Sequence, residues 1–516
     1  MSTSVARAKP AFWGAVSSQL FTIVAMLVSI VSTPLMVRYL DKEEYGLSIL
    51  FFQIIGYLAL FDFGLSTALI RQLSVHRGDD DHARAMLNRI ATTGLYVSAA
   101  LGAGVALIGF FFAPFVPGLF NLRPDLAGPA VPIVATFSLL VGAQFLQRGL
   151  GGILFTYHKQ TQVGVTTFLL NMAGILATIF MLMNGVGLWS FVYANILQLL
   201  LSVGAIVWLL RRYFPQLRIA PRFFDRGLMR ELFGFGIFMF VSSLATQVIL
   251  HTDRLVIGKI LSLSAVTVFS LTVRIPEVGM NLLAKVLENV GPATTEIVSH
   301  EGGERTRLFF QRIMLIIVVA SVVAFWLMLA LNEWFVHLWV GPSFFAGPTV
   351  LMLALGVMIQ QTLNRTGTFF LHAKGIARPV SIAAIVEAAL NITLSVALGY
   401  RLGMPGILLG TLLAALLTSV WYIPFLLRRH LHISFADYWG RPVLLPALSL
   451  SVAGAAVWWG AAWVQAQFLN NWWAFFLVAT AATLVLGSVA WLAFLRQALA
   501  DYVPVRFRRY LWLPAV

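Results

Sequence analysis

Acidic and basic side chains fall inside stretches otherwise apolar enough to cross a membrane, among them Asp62, Arg148, Asp253, Arg254, Arg274, Glu277, Lys285, Glu288, Arg365 and Glu387. A guanidinium at the centre of a lipid-facing helix costs roughly 2.5–3.5 kcal/mol, so such residues should face protein or a wet cavity. Two of them sit in an internal echo. Leu126 to Gly149 reads LAGPAVPIVATFSLLVGAQFLQRG, and Phe345 to Gly367 reads FAGPTVLMLALGVMIQQTLNRTG. Each opens on Ala-Gly-Pro, runs apolar, and closes with two amides and an arginine: Gln144, Gln147 and Arg148, then Gln361, Asn364 and Arg365. Spacings of three and four residues put each trio on one helical face.

Counting from the outer end at 1.5 Å per residue puts Arg148 about 28 Å deep and Arg365 about 27 Å. Arg274 comes to about 18 Å, near the midplane. Arginines on such a path suit a phosphate or pyrophosphate, whose oxygens match the forked donors. For Arg148 and Arg365 the plainer account is snorkelling to the inner headgroups. Arg274 is too deep to snorkel easily. Among the acids, Asp62 falls at the level of Arg148, where an ion pair is the plainer account. Asp253-Arg254 reads as interfacial, and Glu277 is three residues from Arg274, within reach of an intrahelical pair. Glu387 and Asn391, four apart with Thr411 on the next helix, suit a Na⁺ or proton site. An amide-satisfied buried glutamate is the plainer account there. With Asp253 and Asp62, they form the expected coupling set.

Enzyme chemistry has little to stand on. There is no P-loop, HExxH, GxSxG or metal-spaced His/Cys cluster. Asp79-Asp80-Asp81 imitates a sugar-nucleotide metal motif but reads as a helix N-terminus. The sequons at Asn364 and Asn391 lie within apolar spans, and His251 decides nothing. With no cysteine, disulfides and thiolate metal sites are excluded. No metal and no cofactor are expected beyond a coupling Na⁺ or H⁺.

The elements that position these residues are membrane helices. Of the 516 residues, 59% are hydrophobic and 11% charged, far below the usual quarter for a soluble domain. Fourteen segments reach the roughly 20 apolar residues a spanning helix needs. They are 11–37, 46–70, 90–112, 129–154, 163–183, 186–210, 231–257, 262–290, 309–330, 347–371, 379–399, 405–427, 443–465 and 472–495. The first run exceeds a signal-peptide core and is expected to stay uncleaved. The net charge of +15 lies in the loops of one side: 25 Lys and Arg fall there, five on the other. Both termini are therefore expected in the cytoplasm, and nucleic acid is not implied. DHARAMLNRI (Asp81–Ile90) resembles ERTRLFFQRI (Glu304–Ile313), and spans six and twelve both end in Arg-Arg. The chain is accordingly expected to be an all-α integral membrane protein of two six-helix lobes in parallel pseudo-twofold repeat. They are residues 1–212 and 231–429, joined by a cytoplasmic linker 213–230, with two further helices in 430–516.

The first hairpin, PLMVRYLDKEEYGLSILFFQIIGYLALFDFGLSTALIRQLS (Pro34 to Ser74), resembles the start of the polysaccharide-export flippases. These are the O-antigen (Wzx-type) members of the superfamily that also holds multidrug and toxin extruders and lipid II flippases. DRLVIGKI (Asp253–Ile260) resembles their seventh helix. The resemblance implies a non-enzymatic flippase of the bacterial inner membrane, working by alternating access on an undecaprenyl-diphosphate-linked oligosaccharide. It implies a cationic central cavity onto which Arg274 maps best, with Arg148, Arg365, Gln144 and Gln361 as further substrate contacts. The expected partners are the lipid-linked glycan, membrane lipids and a polysaccharide polymerase with its assembly proteins. The alternatives are a multidrug extruder or a lipid II flippase of the same fold. A membrane glycan polymerase or ligase would need a large outer loop, and none is present.

Overall fold

The computed structural model describes residues 21, 23–75, 81–156, 160–300 and 303–499. Among these the regular structure is entirely helical. Two compact units emerge. One holds the chain to Gln247 with Ser262–Ser264; the other holds Val248–Leu261 and everything from Ala265.

The first unit contains α1 (Ile23–Tyr39), α2 (Lys42–Leu58), α3 (Leu65–Val75), α4 (Asp81–Phe112), α5 (Val116–Leu119), α6 (Pro124–Thr156), α7 (Gln160–Met183) and α8 (Trp189–Tyr213). It also takes the first part of α9 (Arg226–Ile260). α4 and α6 approach so closely that a Cβ on Gly102 would stand 2.3 Å from the Gly142 carbonyl oxygen. Glycine there lets two backbones meet, the usual device where helices pack without a hydrophobic drive between them. Leu69, Ile90, Leu154, Ile206 and Leu210 fill the core at one end of the unit.

The expected second span is interrupted. After α2 a 3₁₀ turn (Ala59–Asp62) runs into Phe63 and Gly64, at φ 50° and 69°, before α3 resumes. Left-handed backbone is uncommon for a bulky residue. Phe63 is held there by ring contacts with Phe61 and Phe240, at centroid distances of 5.9 and 4.4 Å. At the other end of α2, Asp41 caps the helix, accepting from the Glu43 and Glu44 N–H groups at 2.8 Å. Arg123 ties this cap to α6 through Asp41 (2.7 Å), Glu43 (3.0 Å) and Asp125 (3.3 Å).

The segment before α9 is docked rather than loose. Asp225 ion-pairs with Arg89, its N–H bonds the Thr93 hydroxyl at 3.0 Å, and the Arg218 N–H bonds Asn88 at 2.8 Å. The Asp225 carboxylate also accepts from the N–H groups of Gly227 (2.8 Å) and Leu228 (3.2 Å), capping α9. The Leu228 and Gly227 N–H groups and Arg89 together hold its carboxyl below the usual carboxylate range. At the start of α4, Asp81 is exposed and pairs with Arg84 at 3.2 Å, as a helix N-terminus reads; Asp79 and Asp80 lie outside the described residues.

The second unit takes the end of α9 and most of α10 (Leu263–Thr272). It continues through α11 (Arg274–Asn289), α12 (Gly291–His300), α13 (Gly303–Trp339), α14 (Pro348–Ala373), α15 (Arg378–Leu402), α16 (Met404–Leu417) and α17 (Ser419–Leu431). α18 (Phe435–Trp439), α19 (Leu445–Phe468), α20 (Trp472–Ala490) and α21 (Arg496–Leu499) close the described chain. Phe310, Phe370 and Tyr438 anchor its largest buried cluster.

Among the described residues ten helical runs are long and apolar enough to cross a membrane, and the bent pair α10–α11 makes eleven. α1 is shorter, and residues 11–20 and 22 of the expected first span lie outside the described residues. α9 and α14 are long, at 35 and 26 residues, and in α14 the polar Gln360, Gln361, Asn364 and Arg365 dilute the apolar run.

Candidate functional site

Arg274 stands at the break of a span. α10 and α11 meet at Val273 and bend by 52°. Pro276 gives the cause. Its nitrogen has no hydrogen to give the Thr272 carbonyl four residues back, and its ring presses on that oxygen. The freed carbonyl is taken by the buried Asn332 side chain from α13, Nδ2 to O at 2.9 Å. The Thr272 hydroxyl accepts from the Ala346 N–H at 2.9 Å. Interrupted helices within a membrane are tolerated where side chains re-satisfy the backbone in this way. Arg274, half-buried, is the first residue of the helix that restarts. A guanidinium and the positive end of a helix dipole thus coincide, a combination suited to an anion.

Glu277, one turn on, takes the guanidinium of the buried Arg254 from α9 in a part-buried ion pair; Arg254 Nε also donates to the Ser270 hydroxyl at 3.1 Å. Sequence reasoning placed Asp253-Arg254 at the interface; both are buried, at 9% and 6% exposure. Breaking one side of such a pair is costly, about 3–5 kcal/mol, because a buried charge is left alone.

Asp253 points away from that pair and into a second polar cluster. Thr411 Oγ1 donates to Asp253 Oδ1 at 3.1 Å and accepts from Asn391 Nδ2 at 2.9 Å. Ser395 Oγ lies 3.4 Å from Thr411 Oγ1 and donates to the Ile407 carbonyl at 2.9 Å. Asn391 Oδ1 is buried with no hydrogen-bond partner among the described residues. The cluster is assembled by close approach of α15 and α16. A Cβ on Gly410 would meet the Ser395 nitrogen at 2.4 Å, and one on Gly406 the Leu398 carbonyl oxygen at 2.1 Å. Sequence reasoning found Asp253, Asn391 and Thr411, but it missed Ser395 and the two glycines.

The cluster fits a small hard cation. Its donors are all oxygens: one carboxylate, two hydroxyls, a carbonyl and an orphaned amide oxygen. One carboxylate balances one positive charge, and a buried carboxylate without that balance is expensive. A proton on Asp253 would neutralise the charge equally well. Among the described residues no group of three or more His, Cys, Asp and Glu gathers.

Glu387, expected beside Asn391, has its own partner. It is 2% exposed and accepts from the Thr418 hydroxyl at 3.2 Å. Thr418 (φ −124°, ψ −91°) is the junction where α16 breaks into α17. Glu387 also meets the Ser419 hydroxyl and backbone N–H, so it caps the restarting helix from outside.

The remaining expected residues are spread over both units. Arg148 and Arg365 are exposed on their helices. Arg148 reaches the Ala59 carbonyl at 3.4 Å, in the turn that also holds Asp62; Arg365 reaches Glu288 on α11 at 3.2 Å. Gln144 and Gln361 are half-buried on α6 and α14. Asp62 belongs to the first unit.

A family model described as polysaccharide biosynthesis protein matches residues 13–298. A Shigella flexneri protein described as a candidate O-antigen transporter is 25% identical over 254 residues, 47% of this chain and 57% of that one. The chain thus spans little more than half the length of that relative. The uncharacterized membrane protein EpsK of Bacillus subtilis (strain 168) is 20% identical over 383 residues, 72% of this chain and 74% of EpsK. Among solved structures, the lipid II flippase MurJ in an inward closed conformation superposes with a TM-score of 0.69 at 15% identity, over 92% of this chain and 98% of that one. An inward-facing multidrug resistance MATE family transporter of the MOP superfamily gives 0.61 at 16% identity, over 78% and 93%.

Proposed function

The chain belongs to the polysaccharide biosynthesis protein family, and we propose that it flips an undecaprenyl-diphosphate-linked oligosaccharide from the inner to the outer leaflet of a bacterial inner membrane. It does so by alternating access between two six-helix lobes within fourteen spans, with both termini cytoplasmic. A multi-pass helical chain with the fold of MOP superfamily transporters supports that assignment.

The observation that carries it is the pair of interruptions. The second expected span breaks at Phe63-Gly64, and its counterpart in the second lobe, the eighth, breaks at Val273. Interrupted segments at matching positions of two repeats point to the substrate site in transporters. The eighth carries Arg274 at its break. A pyrophosphate crossing a low-dielectric core needs charge compensation, which a forked guanidinium gives bidentately while the lipid tail stays in the bilayer. Arg148, Arg365, Gln144 and Gln361 would be further substrate contacts. The Asp253, Asn391, Ser395 and Thr411 oxygens would hold the coupling Na⁺ or proton, and Glu387 secures the break beside it. A polysaccharide polymerase acts on the glycan after it is flipped.

Export of the cell's surface glycan in a strain carrying Arg274→Ala tests the assignment. It should stop at normal membrane protein levels. A lipid II flippase with this fold would instead show its defect in cell-wall synthesis, and unimpaired glycan export would overturn our assignment.

A further inference from the structure

The second unit contains a cavity of about 920 Å³ between α13, α14 and α19, lined by none of the residues that form the two polar sites. Its size lies near the top of the roughly 300–1,000 Å³ range of small-molecule sites. One end is apolar, walled by Trp326, Leu351, Met352, Ala455 and Trp458. The other end holds Glu333, His337 and Gln465. These sit where α13 and α19 finish and α14 begins, which the topology of the proposed flippase places at the outer face.

The polar end is rigid. His337 Nε2 is 2.9 Å from Asn470 Oδ1, and the Trp334 indole donates to the Leu469 carbonyl at 2.9 Å, pinning the α19–α20 corner to α13. Glu333 is exposed and follows by one turn the expected span 309–330. The lining has this one carboxylate and no lysine or arginine. The apolar end of such a cavity, set in the bilayer, favours an acyl chain over water. What fits is an acyl chain below and a positive group above.

We propose that this cavity holds an outer-leaflet phospholipid with an amine headgroup, its ammonium on Glu333 and an acyl chain against Trp326 and Trp458. Charge sign makes the selection: a headgroup bearing only phosphate would meet a bare carboxylate. The bound lipid would brace α19, which lies outside the two lobes, against α13 of the second lobe. The assignment rests on the topology of the proposed function only for the choice of leaflet.

The test is native mass spectrometry of the purified full chain supplied with equal phosphatidylethanolamine and phosphatidylglycerol. The wild type should retain the ethanolamine lipid preferentially. Glu333→Gln should lose that preference, and Glu333→Lys should reverse it. Ala462→Trp, which fills the cavity and keeps the carboxylate, should lose retention of both lipids. Equal retention of the two lipids by the wild type, or an unchanged preference in both Glu333 variants, would overturn the proposal. Displacement of the ethanolamine lipid by a polyprenyl phosphate, with the same potency on Glu333→Gln, would assign the cavity to an isoprenoid tail instead. The measurement reads no transport, so its failure leaves the flippase proposal standing, and loss of glycan flipping leaves this one standing.

Discussion

At the residue scale, each of the two polar sites turns on one charged side chain whose neighbours define what it can bind. Arg274→Ala should abolish glycan export, while Arg274→Lys should restore it only in part, because lysine keeps the charge and loses the fork. The Asp253 cluster makes a sharper division. Asp253→Asn removes the one carboxylate that faces Thr411, so the dependence of transport on a Na⁺ or H⁺ gradient should vanish with the protein still folded. Glu387→Gln should weaken ion dependence less and lower thermal stability, since Glu387 secures the Thr418 break rather than the orphaned Asn391 oxygen. Proteoliposome transport with and without an imposed gradient, beside a melting curve, separates the two. Equal effects would merge the sites. Asp225 offers a test outside the membrane. Its carboxyl is held low in the fold, so the stability it gives is present at neutral pH and lost as pH falls through its folded-state pKa. Asp225→Asn should lower the melting temperature at pH 7 and narrow the gap to wild type in acid.

At the scale of elements, the sequence showed where helices lie and hid where they break. Apolar length is a sum over some 20 residues and survives one proline or one left-handed glycine. The breaks at Phe63-Gly64, Val273 and Thr418 are therefore invisible to it, although Pro276 was a local signal for one. Tertiary pairings were equally hidden. Glu277 has Arg274 three residues away in sequence, yet takes Arg254 from another helix. Of the cation cluster, the carboxylate and amide were legible because polar residues stand out in apolar helices. Ser395, Gly406 and Gly410 were not, because small residues are common there. Gly410→Ala should drive α15 from α16 at about 1–3 kcal/mol, the usual cost of overpacking, and should impair ion dependence with Asp253 intact. The bend is testable too. The chain has no native cysteine, so spin labels at Ala265→Cys and Lys285→Cys report on it alone. Pro276→Ala restores the missing N–H and should lengthen the distance by about 3 Å, from the rise per residue. An unchanged distance would place the cause of the bend elsewhere.

At the scale of the molecule, the proposed duplication would explain why the informative features come in pairs. Each half has an amide-and-arginine helix, and each arginine reaches back toward the interrupted span of its own half: Arg148 to Ala59, Arg365 to Glu288. The two-unit division falls within α9, at Gln247. Arg218 and Asp225 anchor the segment before α9 to α4, so the first part of α9 stays with the first unit. The central claim is that Arg274 carries the diphosphate of a lipid-linked glycan across the membrane. The most direct measurement is flipping in proteoliposomes loaded with undecaprenyl-diphosphate-linked oligosaccharide, read by access of an external glycosidase to the sugar. Wild-type protein should expose the glycan over time under an ion gradient, and Arg274→Ala, inserted to the same level, should expose none beyond protein-free vesicles. Equal exposure by Arg274→Ala and wild type would contradict it.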